Sequence, residues 1–387
     1  MKIGVIGVGR LGICFALLLE KAGYEVFGSD VREYYIEKLK NKQLVTNEPV
    51  VADMLVEAKN ITFTTGNRQV IEESDIIYIM VATPSYPDGS YDVRSVWNAI
   101  NEMLESDKDL TGKIVVVGCT VNPGDCQKIQ DGVRHLGVHV LYNPEFIAQG
   151  KIIHDLQHAD MVLIGGEDQA AMDKYAKIYN DIQVTPPRIN TMSLSAAELT
   201  KIAINCYLTT KISYANLVGE VMIKSGLRKD VNKVLKAIGE DTRIGPKYMN
   251  FGYGYGGPCL PRDNRAFAHY ASSIGIDFNL GQVSDSFNKE HAKFLKNYVM
   301  TANPEKIVPF YMNSITYKPN TDILEESQQL ILCKDLLDEG YSVYVEPHHM
   351  LLDSLIAELG NKYGDRIRFV SLEQLKQNKE LYFEIEI

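Results

Sequence analysis

The chain reads as an α/β protein: two doubly wound, parallel-sheet units joined by a long central helix and a helical middle region. Three observations predict this. Short apolar runs rich in β-branched residues alternate with helix-length segments over about the first 190 residues. One unbroken helical pattern then runs over 195–225, and a second strand–helix alternation begins near residue 300. The expected domain boundaries are 1–194, 195–300 and 301–387, in keeping with roughly 100–200 residues per domain.

The first strand is 2–6, and it runs into Gly7-Val8-Gly9-Arg10-Leu11-Gly12. A helix is expected over 13–21, then a strand over 24–30 that closes on Asp30. A GxGxxG motif between strand and helix, with an acid about 20 residues on, is a dinucleotide fingerprint. Gly7 makes the tight turn, Gly9 lets the backbone approach a pyrophosphate, and Gly12 allows close helix–strand packing. The helix N-terminus offers its N–H groups to phosphates. Asp30 would accept a ribose 2′-hydroxyl, which favours NAD over NADP. A glycine-rich turn without a ligand is the competing reading. The unit is therefore expected to be Rossmann-like.

Further buried strands are expected at 75–82, 113–119, 138–142 and 161–164, each a continuous apolar run of the kind found where both sheet faces are covered. They end in Thr83-Pro84, Thr120, Asn143-Pro144-Glu145-Phe146 and Gly165-Gly166. Ligands in such folds bind at this carboxyl edge.

Composition narrows the function classes. A net charge of −10 argues against nucleic-acid or anionic-membrane binding. The six cysteines show no CxxC and no zinc-ligand spacing, so no metal site is expected. They read as free thiols of a reducing cytosol, which points to a cytoplasmic protein. The apolar N-terminus belongs to a strand–turn–helix motif and is not read as a signal peptide. No run approaches the roughly 20 apolar residues of a membrane span.

In the middle region, Lys201 and Asn205 stand four apart and share a helix face. On spacing alone Lys201 reads as a solvated surface lysine. A helix of this length commonly serves as a spine and dimer contact. Arg243 offers a fork of donors suited to a phosphate or sugar hydroxyl. The Gly/Tyr loop that follows, 250–257, has pliant backbone and aromatic faces, and reads as a ligand loop or a mobile surface turn. It leads into Gly256-Gly257-Pro258-Cys259-Leu260-Pro261-Arg262-Asp263. A thiol aimed by glycine and proline, with a cation three residues on, suits a nucleophile, because a nearby positive charge favours the thiolate. The eight residues by themselves equally fit a tight turn with an incidental cysteine. The C-terminal unit is expected to hold strands at 307–312 and 341–345, a helix at 328–339, and a further helix–strand–helix–strand run. It lacks a GxGxxG, so it would bind something other than a second dinucleotide.

Eight motifs in order resemble the UDP-glucose/GDP-mannose 6-dehydrogenase family over nearly the whole chain. They are Gly7-x-Gly9-x-x-Gly12, Thr83-Pro84, Thr120-Val121, Pro144-Glu145-Phe146, Ala197-Glu198-Leu199-x-Lys201-x-x-x-Asn205, Arg243-Ile244-Gly245, the Cys259 motif and Lys318-Pro319-Asn320. The length and Tyr344-Val345-Glu346-Pro347 look most like the shorter bacterial UDP-glucose 6-dehydrogenases. The resemblance implies a four-electron oxidation of a sugar C6 alcohol to the carboxylate, with two NAD+ and one water consumed, UDP-glucose being the usual substrate and a UDP-N-acetylhexosamine or GDP-mannose the alternatives. It implies Cys259 as nucleophile, Lys201 and Asn205 as oxyanion stabilisers, Asp263 with Thr120 as water-positioning groups, and Glu145 as acid/base. NAD would be held by Gly7, Val8, Gly9, Arg10, Leu11, Gly12, Asp30, Thr83, Thr120, Glu145 and Arg262. The nucleotide sugar would meet Glu145, Phe146, Lys201, Asn205, Arg243, Tyr248, Asn250, Tyr253, Tyr255, Gly256 and Lys318. A homodimer through the long helix is the family expectation.

Four positions depart from the family pattern. Gln149 stands where a second glutamate is usual, Arg262 where a lysine is, and Met161 where an arginine is. Glu325 aligns with an arginine that touches cofactor phosphates. Gln149 cannot take a proton, so acid/base work falls to Glu145 alone. Glu325 would weaken pyrophosphate binding unless Lys318 or Arg10 compensates. These substitutions imply an unusual substrate or a slower enzyme, not loss of the chemistry. Two other classes compete: a non-catalytic NAD or nucleotide-sugar binder, and a two-electron β-hydroxyacid dehydrogenase.

Overall fold

A computed structural model describes residues 1–147, 150–319, 321–385 and 387. The chain divides into two compact units, Met1–Ile202 and Ala203–Ile387. Gln149 and Asn320, both singled out in the sequence, lie outside the described residues.

The first unit is built on one eight-stranded sheet. Its strands are β1 (Lys2–Ile6), β2 (Glu25–Ser29), β3 (Ile61–Thr64), β4 (Ile76–Ile79), β5 (Ile114–Val117), β6 (His139–Tyr142), β7 (Val162–Gly166) and β8 (Ile189–Met192). They lie in the order β3-β2-β1-β4-β5-β6-β7-β8. All neighbours run parallel except β6 and β7, which are antiparallel. The switch between β1 and β4 opens a crevice at the carboxyl edge. Apolar side chains cover both faces: Phe15, Leu17 and Tyr175 belong to one core, Ile77, Val117 and Ile129 to the other. That two-sided burial explains the continuous apolar runs of the central strands.

Boundaries shift as burial and pairing dictate. The expected strand 75–82 pairs only over Ile76–Ile79, and the strand expected at 161–164 extends through both glycines to Gly166. Two strands went unrecognised in the sequence, β3 and β8. Both lie at the edges of the sheet, and β8 is largely exposed, so neither carries an apolar run.

The first turn is the tightest part of the unit. Gly7 sits at φ +93, where a side chain would be strained, and its N–H donates to the Ser29 carbonyl at 2.8 Å. A Cβ on Gly12 would lie 2.1 Å from the Gly7 carbonyl oxygen. Helix α1 (Arg10–Lys21) therefore approaches β1 closely only because residue 12 is glycine.

The second unit contains a helical part and a smaller sheet. The Leu194–Lys224 helix matches the expected 195–225, and the division between units falls within it. Helices Val231–Glu240, Leu260–Ser273 and Leu280–Thr301 follow. Strands β9 (Phe310–Met312), β10 (Val343–Val345), β11 (Ile367–Phe369) and β12 (Phe383–Glu384) form an all-parallel sheet in the order β11-β10-β9-β12. The Gln328–Asp338 helix buries Leu332, Cys333, Leu336 and Leu337 in the same core as Phe310, Val343 and Val345. The fold class expected from the sequence is the one observed.

Gly12→Ala is expected to lower the unfolding free energy by about 1–3 kcal/mol, the usual cost of overpacking a closed site. A urea unfolding curve with the wild-type midpoint would show that the turn can open without penalty.

Candidate active site

In the first unit, the crevice residues gather where the glycine turn meets the sheet edge. Gly9 caps α1 without a side-chain hydrogen bond, so the first turn keeps its positive end open toward the crevice. Val8 is buried, while Arg10 is exposed and Leu11 half-buried beside it. Asp30 stands half-buried just past β2, where Arg32 grips its carboxylate through Nε at 2.8 Å and Nη2 at 2.9 Å. Thr83, buried beyond β4, donates from Oγ1 to the Thr120 carbonyl beyond β5 at 2.8 Å. This bond ties together the two loops expected to line the crevice.

The loop after β6 places Glu145 and Phe146. Lys201 is buried, donates from Nζ to the Glu145 carbonyl at 2.9 Å, and lies 4.7 Å from the Phe146 ring centroid. The reading of Lys201 as a solvated lysine is overturned: its ammonium is held against the Pro-Glu-Phe loop. Tyr179 donates from its hydroxyl to Glu145 Oε1 at 2.8 Å. Burial pushes the Glu145 carboxyl up to about 7, against the opposing pull of the Tyr179 hydrogen bond and the Lys201 charge. A carboxyl group so placed can exchange a proton near neutral pH.

Glu198, three residues before Lys201, is fully buried. Its carboxylate accepts from the N–H of Gly124 at 2.5 Å and of Cys126 at 2.7 Å. It thereby caps the Asp125–Val133 helix from outside. Burial pushes this carboxyl up as well, to about 7, while the two N–H donors pull it down. Sequence reading quoted Glu198 only as part of a motif and passed over Tyr179. Tyr179 lies 34 residues from Glu145, a separation that carries no local signal.

In the second unit, Cys259 is exposed and occupies the position preceding the first turn of the Leu260–Ser273 helix. The helix N-terminus favours negative charge on that sulfur. Asp263 is buried one turn on, where Asn205 Nδ2 donates to Oδ2 at 2.6 Å. Arg262 is half-buried on the same turn. The glycines before Cys259 are forced by contact: Gly257 sits at φ +81, and a Cβ there would meet the Tyr317 ring at 2.4 Å. Gly256 lies as tightly against the Glu326 carbonyl, and Gly257 N–H donates to the Glu325 carbonyl at 3.1 Å. Glu325 thus braces the cysteine loop through its backbone, with its side chain exposed.

The Gly/Tyr loop is pinned as well. Asn288 holds Tyr255 through Tyr255 N–H to Oδ1 and Nδ2 to the Tyr255 carbonyl, both at 3.0 Å. Fully buried His291 bridges Glu220 at 2.6 Å and the Gly252 carbonyl at 2.8 Å. The reading of this loop as a mobile turn does not fit those bonds. Tyr255 is buried and Tyr253 half-buried. Tyr248 is exposed and held at φ +63, an unusual conformation for a bulky residue. Asn250 is exposed, and Arg243 is exposed with its guanidinium on Asp241. Lys318 is half-buried, and its carbonyl accepts from Thr316 and Thr321.

A doubly wound sheet with an uncapped glycine turn at its switch point, and an acid ending β2, defines a dinucleotide-dependent oxidoreductase. Residues 1–183 match the UDP-glucose/GDP-mannose dehydrogenase family's NAD-binding domain and residues 195–290 its central domain, so the chain belongs to that family. NAD is its cofactor, and the open first turn of α1 and the Asp30 carboxylate suit that group. UDP-glucose 6-dehydrogenase TuaD of Bacillus subtilis is 31% identical over 352 residues, 88% of this chain and 75% of that protein. The putative UDP-glucose 6-dehydrogenase YtcA of the same organism is 29% identical over 367 residues, 92% of this chain and 83% of that protein. Among solved structures, a UDP-glucose dehydrogenase from Pyrobaculum islandicum superposes with a TM-score of 0.84 at 28% identity, covering 98% of this chain and 88% of that one. No described helix is long and apolar enough to cross a membrane.

Replacing Glu198 with alanine takes their acceptor from the half-buried Gly124 N–H and the buried Cys126 N–H. Glu198→Ala is expected to destabilise the protein by about 2–4 kcal/mol, judged from the cost of unsatisfied buried donors. Urea unfolding within ~0.5 kcal/mol of wild type would show that the cap is not structural.

Proposed function

We propose that this chain oxidises the C6 alcohol of a nucleotide sugar, most consistently UDP-glucose, to the uronate in two stages through Cys259. The observation that carries the reading is the exposed Cys259 at a helix N-terminus, one turn from a buried Asp263 held by Asn205. Names of relatives that cover most of the chain, UDP-glucose 6-dehydrogenases among them, support the substrate class.

NAD+, when bound, supplies the hydride acceptor for each stage. Gly7 to Gly12, Asp30, Thr83, Thr120, Glu145 and Arg262 would hold it. Lys201 and Asn205 would stabilise the oxyanion that develops at C6 by a positive charge and an amide dipole. Loss of the first hydride from C6 and of the hydroxyl proton to solvent gives the aldehyde, and the Cys259 thiolate adds to it, so that carbon stays bound between the two oxidations. Loss of the second hydride converts the thiohemiacetal to a thioester. Asp263 and Thr120 orient a water, and Glu145 takes its proton as it attacks the thioester carbonyl. Cys259 then leaves as the thiolate and the acid is released. In sum, one alcohol and one water give one carboxylic acid, with two NAD+ reduced.

Phe146, Arg243, Tyr248, Asn250, Tyr253, Tyr255, Gly256 and Lys318 would hold the sugar and nucleotide. In this division 1–194 binds NAD, 195–300 supplies the cysteine and the dimer contact, and 301–387 receives the nucleotide. The long helix exposes Tyr207, Tyr214, Leu217 and Val221, a stripe suited to a homodimer. A cytoplasmic location accords with the six free thiols.

With a panel of UDP- and GDP-sugars, about two NADH per sugar are expected for one substrate, in line with two hydride transfers. One NADH per sugar without acid would favour a two-electron dehydrogenase, and no turnover a binding protein. Cys259→Ser is expected to abolish acid formation while NAD+ affinity changes less than about threefold, since the thiol is needed for chemistry and not for cofactor binding. Full turnover by that variant would rule out the covalent route.

A further inference from the structure

We infer that Tyr179, backed by Asn143, is a positioning residue that holds the Glu145 carboxyl group by a hydrogen bond in both of its protonation states. The inference rests on the acid/base reading of Glu145.

A phenol hydroxyl has one hydrogen to give and lone pairs to accept with. The Tyr179 hydroxyl lies 2.8 Å from Glu145 Oε1 and also within hydrogen-bond reach of Asn143 Oδ1. It cannot donate to both at once. Asn143 has its own orientation fixed, because Nδ2 donates to the Leu163 carbonyl at 2.8 Å. Its amide oxygen therefore faces the phenols and accepts from Tyr175 at 2.5 Å.

These facts give two consistent arrangements of hydrogens. With Glu145 ionised, Tyr179 donates to it. With Glu145 protonated, the carboxyl donates to the Tyr179 oxygen, and the tyrosine hydrogen turns to Asn143 Oδ1. No heavy atom has to move. Tyr179 and Asn143 are each 1% exposed, so water does not take either partner's place. A group that must accept a proton and later return it is thus kept at one spot throughout.

Among the described residues, four charged or titratable groups face Glu145. They are Lys201 from the long helix, Tyr78 from β4, and Tyr175 and Tyr179 from the Gln169–Ile182 helix. Burial favours the protonated carboxyl, while Tyr179 and Lys201 favour the ionised one. Removing the Tyr179 hydroxyl takes away a stabiliser of the ionised form. The pH at which Glu145 loses its proton must then rise.

The test is an infrared titration of the full-length protein, read on the carboxyl band that Glu145→Gln removes, beside the pH profile of NADH release from UDP-glucose. Tyr179→Phe is expected to raise the Glu145 midpoint by about one pH unit, the worth of one charge-assisted hydrogen bond, and so to slow acid formation about fivefold at neutral pH. NAD+ binding, followed by fluorescence quenching, should stay within about twofold, because that variant leaves the glycine turn untouched. Tyr175→Phe keeps the Tyr179–Glu145 bond, changing only the second donor on Asn143 Oδ1, and should move the midpoint clearly less than Tyr179→Phe does; an equal shift would overturn the specific role of Tyr179. Should the phenylalanine variant fold poorly, Tyr179→3,5-difluorotyrosine preserves the ring and, as a stronger donor, should lower the midpoint. Unmoved midpoints in both Tyr179 variants overturn the proposal. Full acid formation by Glu145→Gln would instead overturn the acid/base reading beneath it.

Discussion

The anchoring of the first turns of the Leu194–Lys224 helix governs the arrangement of the carboxyl edge in the first unit. Two side chains from this helix make the attachment. The Glu198 carboxylate takes the N–H groups of Gly124 and Cys126, and the Lys201 ammonium takes the Glu145 carbonyl. One helix thus grips the loop beyond β5 and the loop beyond β6. Glu198 and Lys201 are themselves buried, so their bonds are favoured by low dielectric and would be costly to leave unmade. The placement of Thr120 and Glu145 follows from it.

Glu145 shows how environment sets chemistry. An exposed carboxylate would be ionised throughout the neutral range and would be a poor acid. Burial brings its proton affinity close to neutral pH, against the opposing pull of the Tyr179 hydrogen bond and the Lys201 charge. The same burial that raises it would make it costly to hold, were Tyr179 not there to satisfy it. The core of the unit and its carboxyl edge are therefore joined: of the tyrosines that pack the Gln169–Ile182 helix into the core, Tyr179 meets the Glu145 carboxyl group and Tyr175 meets Asn143.

In the second unit the constraint is steric before it is electrostatic. Gly256 and Gly257 pass so close to Glu326 and Tyr317 that no side chain fits, and this aims Cys259 at the head of its helix. Asn205 meets Asp263 there, while Asn288 and His291 hold the loop that leads in. Glu325, a departure from the family pattern, takes part through its carbonyl oxygen, an atom every residue type possesses. Its substitution therefore leaves the brace on Gly257 unchanged.

The alternation of strand and helix, the glycine turn, the terminal acid of β2 and the long helix were all legible in the sequence. Each rests on local chemistry: periodicity, backbone freedom or spacing along one element. The edge strands β3 and β8 were not legible, because half-exposed strands lack the apolar runs that mark the centre of a sheet. Lys201 by itself resembled any surface lysine, and its burial against Glu145 became visible only in three dimensions. The same holds for Tyr179 and Asn143. Their bonds join residues 20 to 36 positions apart, and such distances leave no periodic trace in the chain. The sequence alone determined the central strands, the glycine turn and the long helix, and which residue types could react. Tertiary structure decided which of those residues meet and what charge each holds, because desolvation and hydrogen-bond geometry depend on neighbours in space.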